Sequence, residues 1–109
     1  MVIVLLQLKV EPEKRFHILK TVHAITGPTK AQAGCQLYEF YSNTQNDDEL
    51  VLLQIWDSQE NLEDHIRSEE FRNVLAVMDN ASAPPKISFN TIESISHFDL
   101  VEKILGAES

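Results

Sequence analysis

The sequence predicts a single α+β domain of ferredoxin-like type, a β-α-β-β-α-β antiparallel sheet followed by a short C-terminal helix. Three observations predict it. Apolar runs of strand character alternate with stretches whose apolar residues recur at helical spacing. A polar, turn-forming segment joins the second and third apolar runs directly, which makes them a hairpin. Between Leu50 and Phe71 the pattern switches from strand to helix, and that stretch holds the only tryptophan, Trp56, with His65 nine residues after it.

Val2 to Val10 is rich in valine, isoleucine and leucine and closes at Glu11-Pro12, where proline has no amide to give to a ladder. Pro12-Glu13 opens the first helix, with proline early and acids in the first turn. Ile18, Leu19, Val22 and Ile25 form its buried stripe; Thr26-Gly27-Pro28 is expected to end it, with a further turn through Ala33 left open. Gly34-Cys35 starts the second strand, Cys35 to Tyr41, and Ser42 to Asp48 is a polar turn before the third strand, Glu49 to Trp56. Asp57 or Ser58 caps the next helix, Glu60 completing a capping box with Asp57. Its apolar stripe is Leu62, Ile66, Phe71, Val74, Leu75 and Met78, interrupted and re-capped at Ser68-Glu69-Glu70. After a loop from Ala81 to Pro85, Lys86 to Ile95 alternates as the last strand. Phe98, Val101, Ile104 and Leu105, ended by Gly106, make an amphipathic helix. Residues 1–95 are expected to form the fold proper, with 96–109 an amphipathic tail of the same structural unit.

Strands one and three carry apolar residues on both alternations: Val2, Val4, Leu6 and Leu8 against Ile3 and Leu5, and Val51, Leu53 and Ile55 against Leu50, Leu52 and Trp56. A sheet with one wet face alternates cleanly, so this one is expected to be covered on both sides. Two helices cover one side. The expectation for the other is a second copy, a homodimer formed sheet against sheet with each C-terminal helix clamping its partner.

Seventeen acidic against nine basic side chains give a formal net charge of -8, which repels phosphate backbones and anionic lipid; neither nucleic acid nor a membrane is an expected partner. One cysteine, Cys35, forms no internal disulfide and fits a reducing cytoplasm. The apolar start, Met1 to Leu8, has no basic segment before it and no small-residue cleavage site after it, so it reads as a strand rather than an export signal.

Gly34-Cys35 opening strand two, Gln54-Ile55-Trp56 closing strand three, and Leu62-Glu63-Asp64-His65-Ile66 leading to Phe71 together resemble the antibiotic biosynthesis monooxygenase (ABM) family. The resemblance covers roughly residues 2–95 and implies a dimeric α+β barrel. It also carries Trp56 and His65 over as site residues. Family members often place a glutamate two residues before the tryptophan, where this chain has Gln54, and many place a histidine before the phenylalanine, where it has Glu70. The haem-degrading branch uses an axial histidine at the position of Leu75, and an asparagine on strand one, where Gln7 is the nearest polar residue.

Ground-state oxygen reacts slowly with closed-shell organic molecules, so oxygenases normally recruit flavin or a metal. The sequence has no glycine-rich nucleotide loop, and His17 and His23, six apart, fall on different faces of the first helix; no cofactor is expected. An oxygenase of this kind takes its electrons from the substrate, a small aromatic, quinol or enol-type compound. Its needs are a dry pocket, a base and donors for the substrate anion. His65 is the candidate base. Trp56 is the candidate stacking partner, and strand position makes Gln7, Tyr38, Tyr41, Gln54 and Asn90 candidates to orient substrate oxygens. Plain readings stand beside these. Burying a tryptophan contributes about 4–6 kcal/mol, reason enough for Trp56, and His65 shares a face with Leu62 as a hydrogen-bonded structural histidine would. Two other functions fit the same residues: non-oxidative isomerisation of a small hydroxy-ketone with His65 as proton shuttle, and a non-catalytic dimer that binds a small ligand or serves in stress.

Overall fold

The computed structural model describes residues 1–107. Residues 108 and 109 of the expected tail lie outside the described residues. Strand β1 (Val2–Lys9) is followed by α1 (Pro12–Lys30), β2 (Cys35–Asn43), β3 (Asn46–Trp56), α2 (Gln59–Ile66), α3 (Glu69–Asp79), β4 (Lys86–Thr91) and α4 (Phe98–Ala107). The strands form one sheet in the order β2-β3-β1-β4, every neighbour antiparallel. This is the expected ferredoxin-like arrangement.

Register assigns every strand residue to a face. Val2 pairs with Trp56, Val4 with Gln54, Leu6 with Leu52 and Leu8 with Leu50, and all eight are buried. Tyr38 of β2 sits opposite Gln54 and joins the same face. Above it α1 contributes Ile18, Val22 and Ile25, and α3 contributes Phe71, Val74 and Val77. A smaller cluster of Val2, Val4, Trp56 and Leu62 lies toward α2, with Cys35 and Ile87 touching both. The other face presents Ile3, Leu5, Leu37, Val51, Leu53 and Ile55, half-buried and uncovered by any described helix. Along α4, Phe98, Leu100, Val101, Ile104 and Leu105 are exposed.

The main departures from the sequence reading have physical reasons. Helix α1 continues through Pro28 to Lys30. The residue before the proline is Gly27, whose missing Cβ removes part of the usual clash with the pyrrolidine ring, and Ala31 N–H closes the last turn on the Gly27 carbonyl at 3.2 Å. Strand β3 begins at Asn46 because the hairpin needs only a two-residue turn, Thr44-Gln45. Asparagine side chains fold it, Asn43 Oδ1 accepting from Gln45 N–H at 2.8 Å and Asn46 Oδ1 from Asp48 N–H at 3.0 Å. Strand β4 stops at Thr91 rather than Ile95: Thr91 pairs with Val2, the first residue of β1, and Ile92 N–H reaches the Met1 carbonyl at 3.0 Å just beyond that pair. Ile66 and Leu75, expected in one stripe, are exposed. The chain there is two helices, and the restart at Ser68 resets the helical phase, so Leu62 and His65 face inward from α2 and Phe71, Val74 and Val77 from α3.

The cap of α2 is Ser58, whose Oγ accepts from Asn61 N–H at 3.1 Å. That places Asp57 outside the helix, where its carboxylate accepts from Asn61 Nδ2 at 2.6 Å instead of forming a capping box with Glu60. Gly34 fits beneath this pair. Its φ is +80°, and a Cβ there would stand 2.3 Å from Asp57 Oδ1, 2.4 Å from Asn61 Nδ2 and 2.7 Å from Asn61 Cβ. The Gly34 carbonyl also accepts from Asp57 N–H at 2.9 Å, so the turn after α1, the end of β3 and the start of α2 meet at one residue.

Gly34→Ala adds a left-handed backbone penalty to that overlap. The expected loss is at least about 1–3 kcal/mol, read as a lowered urea midpoint. Ser58→Ala removes one capping bond and is expected to cost about 1 kcal/mol by the same measurement.

Candidate functional site

Helix α2 delivers His65 to the interior about two turns beyond its cap at Ser58, and the residue is 1% exposed. The helix ends immediately after it: Ser68 Oγ donates to the His65 carbonyl at 2.6 Å and accepts from Phe71 N–H at 3.3 Å, so one hydroxyl closes α2 and opens α3. His65 is therefore held from both sides along the chain.

Its imidazole sits in an aromatic box. The Trp56 indole stacks on it at 4.6 Å between centroids and 24° between planes. Tyr38 meets it edge-on at 6.1 Å, and Phe71 at 5.6 Å. Such contacts contribute about 0.5–1.5 kcal/mol each beyond burial. Trp56 Nε1–H donates to Gln54 Oε1 at 2.8 Å, which gives the indole the partner that a buried N–H requires. His65 Nδ1 lies 2.8 Å from Gln32 Oε1, and Gln32 Nε2 donates to Glu70 Oε2 at 3.0 Å.

Four buried side-chain atoms form no hydrogen bond with a protein group among the described residues: Thr29 Oγ1, Tyr38 Oη, Gln54 Nε2 and His65 Nε2. They belong to one neighbourhood. Tyr38 is paired with Gln54 across the sheet and packs against His65, and Thr29 lies beside Tyr38 without reaching hydrogen-bond geometry. Burial pushes His65 down from 6.5 to about 4, the charge of Glu70 working against it. Burial raises the Tyr38 hydroxyl far above its ordinary value, the nearby Thr29 hydroxyl opposing and the Cys35 and Glu70 charges adding. Both groups are thus neutral at pH 7. Cys35, half-buried, is also raised by burial, with Lys30 and the Leu37 backbone opposing.

The predicted site residues divide by sheet face. Trp56, His65, Tyr38 and Gln54 come together under the helices. Gln7, Tyr41 and Asn90 lie on the opposite face and are exposed, Gln7 and Tyr41 on either side of Val51 and Asn90 donating to the Ile3 carbonyl and Ser88 Oγ. Gln32 and Thr29 were not expected. Both come from the end of α1, and no local spacing points across the 33 residues that separate Gln32 from His65. Leu75, at the position of the haem branch's axial ligand, is exposed on α3. A hollow of about 290 Å³ reaches the box from outside, lined by Gln32, Ala33, Asn61, Asp64, His65 and Ser68. A larger one, about 530 Å³, lies at the other end of β1 beside Gln7, Lys9 and Lys86 and touches none of the box. No described cluster of three or more His, Cys, Asp or Glu residues is placed to hold a metal ion, and no described helix is long and apolar enough to cross a membrane.

Solved structures share the fold. A conserved protein of Methanosarcina mazei is similar with a TM-score of 0.79 at 22% identity, over 84% of this chain and 92% of that one. A Deinococcus radiodurans protein described as a candidate antibiotic biosynthesis monooxygenase gives 0.79 at 18% identity, over 89% and 97%. A Mycobacterium tuberculosis protein gives 0.78 at 23%, over 88% and 98%. At these identities the likeness establishes the fold alone. A comparison with curated proteins gives no match. Residues 1–77 match the family described as antibiotic biosynthesis monooxygenase, and this chain belongs to that family.

Proposed function

We propose that this protein is a cofactor-independent monooxygenase that oxidises a small aromatic, quinol or enol-type compound with electrons the compound itself supplies. The observation that carries the reading is His65: a neutral imidazole boxed by aromatic rings, one nitrogen held by Gln32 and the other buried without a protein partner. Family membership supports it, as does the description of the Deinococcus relative. His65 Nε2 accepts the acidic proton of the substrate, Trp56 holds the imidazole by stacking on it, and Gln54 Nε2 and Tyr38 Oη hold the resulting oxyanion. An activated methylene oxidised to a ketone releases four electrons, which reduce one oxygen molecule: one atom enters the product and the other leaves as water. No outside reductant is needed. The substrate enters from the hollow beside Asn61 and Asp64.

The working unit in this reading is a homodimer. Ile3, Leu5, Leu37, Val51, Leu53 and Ile55 make an apolar sheet face without a helix over it, and α4 offers its own exposed apolar stripe. Sheet-against-sheet packing closes the face, with α4 laid on the partner. Sedimentation is expected to show a dimer at micromolar concentration and Leu53→Glu to yield monomers; a wild-type monomer would remove this part of the proposal.

Oxygen uptake by the purified protein with air-oxidisable hydroquinones and anthrones tests the chemistry. Uptake with release of a ketone product is expected, and His65→Gln is expected to lower it about 10²–10⁴-fold. Product formation under nitrogen would mark an isomerase instead. Acid stability reports the same imidazole. The folded value near 4 lies below the unfolded value of 6.5, so the unfolded chain binds more protons between them, and stability falls as pH drops from 6.5 toward 4. The expected contribution of His65 is up to roughly 3 kcal/mol. Urea midpoints of wild type and His65→Asn should therefore converge across that window.

A further inference from the structure

We propose that Gln32 is the positioning residue for His65, itself oriented by Glu70, and that the pair fixes the imidazole in the tautomer with hydrogen on Nδ1 and a lone pair on Nε2. The inference concerns the geometry of the ring and gains its catalytic meaning from the function proposed above.

The argument follows donors and acceptors. A carboxylate has no hydrogen to give, so at 3.0 Å from Glu70 Oε2 the Gln32 side chain must present its NH₂ group. That orientation turns Oε1 toward His65, where Nδ1 stands 2.8 Å away. An amide oxygen only accepts, so the hydrogen between them belongs to Nδ1. A neutral imidazole carries a single ring N–H, and Nε2 is left as an acceptor inside the aromatic box. Oxyanion-forming chemistry requires that state of Nε2; a ring protonated there could not take the substrate's proton.

Gln32 is built to hold its place. Its N–H reaches the Thr29 carbonyl at 3.0 Å, and its own carbonyl accepts from Cys35 N–H at 3.2 Å. Two residues on, Gly34 fits under Asp57 and Asn61, so the turn that carries Gln32 is locked against the helix that carries His65. The amide also separates charge from ring. Glu70 sets the orientation through an intervening neutral group, so no carboxylate touches the imidazole and the base stays uncharged.

Nitrogen-15 NMR of the imidazole side chains tests this without any substrate. His65 is assigned by the signal lost in His65→Gln. At pH 7 the wild type should show Nδ1 protonated and Nε2 unprotonated, a single tautomer. Gln32→Leu should give a mixture or the Nε2–H form, with Trp56 fluorescence confirming the fold. Glu70→Ala, which leaves ring and amide untouched, should loosen the preference in the same direction and guards against misfolding of the first variant. A wild-type Nε2–H tautomer, or one unmoved in both variants, overturns the proposal. In oxygen uptake, Gln32→Leu should lower kcat about tenfold or more with KM little changed. Because the tautomer is read from the free protein, a correct tautomer in a protein that consumes no oxygen would remove the monooxygenase reading and leave the positioning role standing.

Discussion

The pairing of β1 with β3 is the constraint on which the rest depends. Side chains alternate across a sheet, so the partnership of Val2 with Trp56 through Lys9 with Glu49 decides at once which residues lie under the helices and which lie on the open face. A slip of one residue would carry Trp56 and Gln54 to the open face and bring Ile55 and Leu53 inward. Apart from Gln54 both sets are apolar, so hydrophobicity discriminates between the two registers less sharply than in a one-sided sheet. Specific features supply the discrimination. His65 can stack on Trp56 only when Trp56 faces the helices, and the turn at Gly34 meets the end of β3 only when Trp56 is opposite Cys35. Arg15 adds a tie from α1 to the hairpin, donating to the Asp47 carbonyl and to Ser42 Oγ.

Once register puts Trp56 inside, α2 lays His65 on it, and the core becomes polar at that spot. A buried polar atom without a partner costs about 1–3 kcal/mol, and four occur in one neighbourhood here. Apolar residues of similar volume would give a more stable core. Departures from packing rules concentrate at functional sites, where stability is exchanged for chemistry. That concentration distinguishes the aromatic box from an ordinary filled core better than burial does, since Trp56 and Leu6 are equally inaccessible.

The strand and helix pattern was largely legible in the sequence because its signals are local: β-branched runs, helical spacing, and serine caps at 58 and 68. Both apolar faces of β1 and β3 were legible too, since alternation is a property of neighbours. The site was legible only on one side. Trp56 and His65 are marked by their residue types, and Tyr38 and Gln54 follow from strand position, but the same reasoning admitted Gln7, Tyr41 and Asn90, which the register sends to the other face. Pattern alone could not number the faces across a bulge such as the one between Cys35 and Leu37. Gln32 left no trace because its role depends on a contact closed by tertiary structure. Gly34 was visible as a strand opener, yet its positive φ and its contact with Asn61 are properties of the fold.

The two departures from the family's pattern gain a common explanation in this geometry. A glutamate at position 54 would place a carboxylate on the inner face, beside the indole that covers His65, and a charge there would carry a large desolvation cost while favouring the imidazolium. With Gln54 the indole keeps its acceptor and the interior stays neutral. The carboxylate appears instead at position 70, half-buried and one amide away from the ring, where it orients Gln32 without touching His65. A histidine at 70 would not fill this role, since its neutral ring is a poorer acceptor for the amide and its charged form accepts nothing. Gln54 and Glu70 thus have complementary effects: one keeps charge out of the core, and the other supplies at the edge the acceptor that orients Gln32 toward His65.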